Sequence, residues 1–183
     1  VMAGSNDIMT NPGSLPALRD NLRDGIHQLL AAGCDVVVAN TINPIHLKVF
    51  KPMRHKAQLF STLIETVADE FEVPVLDVFG IREFENLGYW AEDMVHFSGQ
   101  GHIRIANDAA ALLGLNYRFV NPELTAVSGG LIDTARWITR DVIPFFDRKL
   151  KGVTSGDGMQ PKHSALSPFD PRVNQPNWEM VSA

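Results

Sequence analysis

Short aliphatic and β-branched runs alternate with segments of helical periodicity along the first 113 residues. Buried-strand patterns occur at 1–3 ("VMA"), 34–40 ("CDVVVAN") and 73–78 ("VPVLDV"). Apolar residues recur at helical spacing over 12–32, 53–71 and 99–113. Strands that alternate with helices are typical of a parallel α/β sheet, in which ligands bind at the carboxyl ends of the strands. The pattern therefore predicts an α/β domain with its site at that edge.

The pattern changes after residue 113. Apolar residues at steps of three and four over 131–150 predict an amphipathic helix, which Pro144 is expected to bend. Residues 154–183 contain four of the eleven prolines and no sustained periodicity, which indicates an irregular arm. We therefore divide the chain into a domain at 1–113 and a C-terminal extension at 114–183.

Charge and hydropathy limit the partners of this chain. Sixteen Lys and Arg residues stand against 21 Asp and Glu, giving a net charge of −5, and the basic residues are not clustered. We therefore expect no nucleic-acid partner. No apolar run is long enough to cross a bilayer, and the mixed charges of the 131–150 helix argue against a membrane-binding face. Docking on the domain is the simplest role for this helix; a lid or a homodimer contact are the alternatives.

Cys34 is the only cysteine, which excludes an intrachain disulfide and a cysteine-rich zinc site. Its place at the start of a predicted strand leads us to expect a buried, inert thiol. A lone cysteine fits a reducing compartment and favours a cytoplasmic location. The sequence starts with Val1 rather than Met, so an upstream signal peptide, and with it secretion, stays an open alternative.

Two polar motifs lie where this topology places functional residues. "GSND" at 4–7 directly follows the first predicted strand, and "DMVHFSGQGH" at 93–102 lies in the loop before the helix at 99–113. Because the carboxyl ends of parallel strands share one edge of a sheet, Asn6, Asp93 and His96 are expected to converge there.

Each of these residues also has an ordinary structural interpretation. Asn6 and Asp7 suit a turn after a strand. Asp93 could cap the loop, and His96 could be a half-buried histidine without a catalytic role. A metal site formed by Asp93, His96 and His102 has no further ligand pattern to support it.

The two motifs together resemble those of the SGNH hydrolases, also called GDSL esterases/lipases. "GSND" resembles the Gly-x-Asn-Asp block of that family, and "DMVHFSGQGH" is similar to its Asp-x-x-His block, in the same order. The resemblance covers residues 1–113. It implies a three-layer α/β/α sandwich with a parallel, flavodoxin-like sheet. It also implies serine-dependent hydrolysis of carboxylic esters through an acyl-enzyme, without a metal or another cofactor.

The resemblance assigns a role to each motif residue. His96 would act as the general base and then the general acid, and Asp93 would orient its ring as the next member of a catalytic triad. Asn6 would donate its side-chain N–H to the oxyanion of the tetrahedral intermediate. Asp7 would be structural, and Gly4 would let the backbone pass close to the site.

The resemblance places the nucleophile outside this sequence. The family's Gly-Asp-Ser block and a later block with an oxyanion-hole glycine both precede "GSND". Ser5 and Ser98 adjoin the motifs, but neither has the pattern of a strand-to-helix nucleophile elbow. We therefore expect two further strand/helix units, about 60 residues, before Val1. They would belong to the same protein, possibly as a separate bound chain.

Two other functions fit the same residues. In a non-catalytic α/β binding module, or a degenerate member of the family, Asp93 and His96 would be only structural. In an acyltransferase the same site would pass the acyl group to a sugar or an alcohol instead of water. A Gly-Asp-Ser sequence upstream would favour an enzyme over the binding module.

Overall fold

The computed structural model describes residues 1–4, 15–120, 124, 135–151, 160 and 180–182. Its α-helices are α1 (Leu15–Ala31), α2 (Arg54–Glu70), α3 (Gly99–Leu112) and α4 (Ile143–Leu150). Its strands are β1 (Val38–Ala39), β2 (Val75–Leu76), β3 (Tyr117–Phe119) and β4 (Met180–Ser182). Short 3-10 helices occur at Lys48–Met53, Arg82–Glu85 and Leu87–Tyr89, and a π-helical turn at Ile138–Val142.

The central strands form a small parallel sheet. Val38 and Ala39 of β1 lie opposite Val75 and Leu76 of β2. On the other side of β1, the Ala39 N–H donates to the carbonyl of Val1 at 2.8 Å. The alternation of helices with parallel strands confirms the predicted α/β class.

The two faces of β1 contact different parts of the core. Val38 belongs to a buried cluster formed with α1 and α2, whose members are Ile26, Val36, Val38, Phe60, Ile64 and Val67. Val37 and Ala39 pack against a second cluster, which also contacts Ile105 and Ala109 of α3. Successive side chains of a strand alternate between faces, so helices on both sides explain why "VVVA" is apolar without interruption.

Helix α1 ends in a left-handed glycine cap, as its sequence indicates. Gly33 has a φ of 80°, and its N–H donates to the carbonyl of Leu30 at 2.9 Å. The prediction that Cys34 is buried was wrong, because its side chain is exposed. The strand begins only at Val38, so Cys34 lies in the connection rather than in the sheet.

A second, antiparallel pair of strands was not predicted from the sequence. Tyr117–Phe119 pairs with Met180–Ser182, so the end of the predicted irregular arm returns to the residues that follow α3. The Asn107 side chain fixes β3 to α3: it accepts from the Phe119 N–H at 2.7 Å and donates to the Phe119 carbonyl at 3.1 Å. Most of the arm lies outside the described residues.

The predicted helix at 131–150 is described from residue 135 onwards. A π-helical turn, Ile138–Val142, precedes α4, and Pro144 occupies the second position of that helix. Proline has no N–H to donate to the preceding turn, which explains a change of helical geometry there. None of the described helices combines the length and the apolar character needed to cross a membrane.

Candidate active site

Asp93 and His96 form a hydrogen-bonded pair in the loop before α3. The Asp93 Oδ2 atom lies 2.6 Å from Nδ1 of His96. The other carboxylate oxygen, Oδ1, accepts from the backbone N–H groups of Val95 at 3.0 Å and His96 at 2.9 Å. Met94, which follows Asp93 in the loop, has a φ of 55°, in the left-handed region. This turn curls the loop so that a three-residue spacing brings the imidazole onto the carboxylate.

The geometry fixes which nitrogen of His96 is free to react. A carboxylate oxygen only accepts hydrogen bonds, so the neutral imidazole carries its proton on Nδ1 and its lone pair on Nε2. The His96 side chain is 79% exposed. No residue in the described part of the chain bonds to Nε2, which is therefore available to take a proton from a reacting group.

The surroundings of Asp93 keep its carboxylate charged. Partial burial would raise its pKa, but hydrogen bonds from the backbone and ring of His96 and from the Val95 N–H outweigh that effect and lower the pKa. A charged Asp93 is the form that orients an imidazole and stabilises its protonated state.

A histidine from another part of the chain holds the same loop. The Nε2 atom of His46 lies 2.9 Å from the Met94 carbonyl, and its ring stacks on Trp90 with 3.6 Å between centroids. Because the carbonyl must accept, Nε2 carries the proton, and Nδ1 is buried without a partner among the described residues. Burial lowers the pKa of His46 more than the bond to Met94 raises it. We infer a neutral His46 that serves as a donor to the loop.

Ser98 has a structural role in the described structure. Its Oγ atom donates to the Gly88 carbonyl at 2.8 Å and accepts from the Gly101 N–H at 3.3 Å, which caps α3. His102 lies in the first turn of α3, where its ring contacts that of Phe97. The described residues contain no group of three or more His, Cys, Asp or Glu side chains that could hold a metal ion.

The first motif is only partly described. Gly4 has a φ of 89°, and a Cβ atom there would lie 2.4 Å from the Phe60 ring of α2, so packing against that helix requires glycine. Asn6 and Asp7, and with them Ser5, lie outside the described residues. The convergence of Asn6 with His96 therefore stays a prediction.

Asn40 organises the sheet edge but was not singled out from the sequence. It is 1% exposed at the end of β1, and its side-chain NH₂ donates to Asp77 at 2.8 Å and to Glu65 at 3.0 Å. Its Oδ1 accepts from the Phe79 N–H at 2.9 Å. These bonds tie the carboxyl end of β1 to the segment that follows β2. In the sequence, the only signal for this role was an asparagine directly after an apolar strand pattern.

The model of the GDSL-like lipase/acylhydrolase family matches residues 1–104, more than half of the chain. No curated protein and no solved structure matches it. The matched region contains both polar motifs and ends within α3, before the extension begins.

Proposed function

The chain belongs to the GDSL-like lipase/acylhydrolase family, and from this membership we propose that it hydrolyses carboxylic esters through a serine acyl-enzyme. The observation that carries the proposal is the 2.6 Å contact between Asp93 and His96. It gives an exposed imidazole an oriented tautomer and a charged carboxylate partner, as a triad requires.

In the proposed mechanism His96 transfers the proton in both halves of the reaction. Its Nε2 takes the proton from the serine hydroxyl as the serine oxygen attacks the ester carbonyl. The same proton then goes to the departing alcohol, and the acyl group remains on serine. His96 next removes a proton from water, which attacks the acyl-enzyme carbonyl. The same proton then goes to the serine oxygen as its bond to the acyl group breaks and the acid leaves. Asp93 stabilises the imidazolium in each half.

We propose that the nucleophilic serine, and one oxyanion donor, lie on a segment N-terminal to residue 1. The order of the two family motifs supports this placement, and so does the capping role of Ser98, whose hydroxyl both donates and accepts within the fold. Asn6 would be a second oxyanion donor; one such donor contributes about 10²- to 10³-fold in rate.

The same segment would complete the proposed three-layer sandwich. Helices already contact both faces of β1, with α1 and α2 on one side and α3 on the other. Further strands beside residues 1–3 would extend this sheet and cover Val1 and Met2, whose side chains are 45% and 47% exposed.

Labelling with a fluorophosphonate tests the position of the nucleophile. The full-length protein should react, and the labelled serine should lie on a peptide outside residues 1–183, because the order of the family's motifs puts the nucleophile before "GSND". Replacing His96 by Ala should slow labelling, since the hydroxyl loses its base. Peptide mapping by mass spectrometry reads both results. A label on Ser5 or Ser98 would contradict the proposal, and an unreactive full-length protein would favour a binding module.

A second assay separates hydrolysis from acyl transfer. With an activated ester as donor, product analysis in the presence of an added alcohol or sugar shows where the acyl group goes. Free acid as the main product supports the hydrolase. If the acylated alcohol or sugar exceeds the free acid in water, the site belongs to a transferase.

A further inference from the structure

Residues 135–151 lie outside the family match, yet they contact the loop that carries the catalytic pair. We call residues 92–96 the catalytic loop. The indole Nε1–H of Trp137 donates to the backbone carbonyl of Asp93 at 2.6 Å, and Trp137 is only 5% exposed. The contact joins positions 44 residues apart in sequence.

This contact acts on the strained part of the loop. Met94 has a left-handed backbone, which is unfavourable for a residue with a side chain and persists only where the surroundings hold it. The Asp93 carbonyl belongs to the peptide group before Met94 and accepts from Trp137. The Met94 carbonyl belongs to the peptide group after it and accepts from His46. Both peptide groups that flank the strained residue are therefore fixed by ring N–H donors.

The two donors support each other through aromatic packing. The Phe50 ring lies between them, with its centroid 5.5 Å from that of His46 and 5.7 Å from that of Trp137. The contact with Trp137 is edge to face, at 87°. A change at Trp137 therefore affects the peptide before Met94 directly, while His46 continues to hold the peptide after it.

Arg140 adds an exposed contact from the same helical segment. Its guanidinium donates to the Glu92 carbonyl at 3.0 Å and to the Glu92 carboxylate at 3.2 Å. The Arg140 side chain is 47% exposed, so solvent weakens this ion pair. The indole bond is the stronger of the two contacts, because Trp137 is buried and a carbonyl shielded from solvent and left without a donor is costly.

We propose that Trp137 is a positioning residue for the Asp93–His96 pair. It holds Met94 in the left-handed conformation that brings the imidazole onto the carboxylate, so residues 135–151 form part of the site. The structural claim depends only on the contacts of the loop. The kinetic consequence rests on the proposed function.

The kinetic test compares Trp137→Phe with a control variant of the full-length protein. Trp137→Phe keeps an aromatic ring but removes the N–H donor to the loop. Asn107→Ala is the control: it removes a side-chain donor from the Phe119 carbonyl at 3.1 Å, and Asn107 bonds neither to the loop nor to its two ring donors. With p-nitrophenyl acetate, Trp137→Phe should lower kcat about 10- to 100-fold with KM unchanged. Asn107→Ala should leave both kcat and KM unchanged.

A second readout does not require activity. The proton between Asp93 and His96 should give a downfield ¹H NMR resonance, which should weaken or shift in Trp137→Phe and stay unchanged in Asn107→Ala. Arg140→Gln changes an exposed side chain and should produce a smaller change in the same direction, which serves if Trp137→Phe does not fold. A wild-type resonance in Trp137→Phe, or in Arg140→Gln where Trp137→Phe does not fold, would overturn the proposal. If the wild type lacks esterase activity, the proposed function fails, and the resonance still decides the positioning role.

Discussion

Asp93 lies in the catalytic loop and His46 donates to it, and the surroundings of each side chain favour one charge state. Hydrogen bonds from the loop backbone and from His96 lower the pKa of Asp93 despite its partial burial, which favours the carboxylate. Burial lowers the pKa of His46, which favours the neutral ring that donates to Met94. The loop therefore depends on a charged Asp93 and an uncharged His46 at the same pH.

His46 should make the protein less stable in mild acid. Its pKa is lowered in the folded state, so as pH falls through the unfolded value near 6.5 the unfolded chain binds a proton that the native chain does not. The free energy of unfolding therefore decreases. In His46→Gln, whose amide can still donate to Met94 but does not titrate, the decrease between pH 7.5 and pH 5.5 should be smaller.

Urea unfolding at the two pH values measures this difference. An equal decrease in wild type and His46→Gln would show that the buried ring does not contribute to the acid sensitivity.

The sequence alone predicted the contact between Asp93 and His96, but not the residues that hold the loop from elsewhere in the chain. Asp93 and His96 lie three residues apart in one motif, so their contact could be predicted from local spacing. His46 and Trp137 reach the loop from 48 and 44 residues away, and no local pattern encodes such a contact. The sequence analysis assigned neither residue a role at the loop, because the presence of an aromatic ring does not reveal which carbonyl it will face.

At the scale of elements, the start of α3 fixes where the catalytic loop ends. Ser98 caps this helix, and its hydroxyl also bonds to the Gly88 carbonyl. Gly101 in the first turn is buried, and a Cβ atom there would lie 2.4 Å from the Tyr89 carbonyl oxygen and 2.9 Å from Phe97. The helix therefore packs directly against the Tyr89 backbone before the loop and the Phe97 side chain after it.

Two glycines in this turn offer a matched comparison. Gly101→Ala should lower the free energy of unfolding by about 1–3 kcal/mol, because a methyl group has no space against backbone atoms. At Gly99 a new Cβ would have nothing within 4 Å, and alanine favours a helix over glycine by roughly 0.5–1 kcal/mol. Gly99→Ala should therefore be the more stable of the two variants. Chemical denaturation of both variants measures the difference. Equal stabilities would contradict the close packing of α3.

Helices were predicted more accurately than strands. The segment predicted at 53–71 is Arg54–Glu70 in the structure, and that at 99–113 is Gly99–Leu112, because periodicity and caps are local signals. The strand predicted at 34–40 is paired only at Val38–Ala39, since pairing depends on the neighbouring strand. Strands β3 and β4, of three residues each and far apart in sequence, carry no periodic signal at all.

At the scale of the whole molecule, the parallel sheet separates two cores and ends in polar residues. Asn40 closes the carboxyl end of β1, and the catalytic loop follows the neighbouring strand β2 in sequence. The family match ends within α3, but the helical segment at 135–151 contacts the loop through Trp137. The extension is therefore part of the surroundings of the candidate site. Its separation from the domain at residue 113 stays a prediction.

The central claim is that Asp93 and His96 act as one unit in ester hydrolysis. The measurement is kcat for p-nitrophenyl acetate in full-length Asp93→Ala, His96→Ala and the double variant. In a serine hydrolase with an established Ser-His-Asp triad, losing the base costs on the order of 10⁶-fold and losing the carboxylate about 10⁴-fold, while removing both adds little. The same pattern is predicted here. Turnover retained in His96→Ala, or losses that multiply in the double variant, would contradict the account.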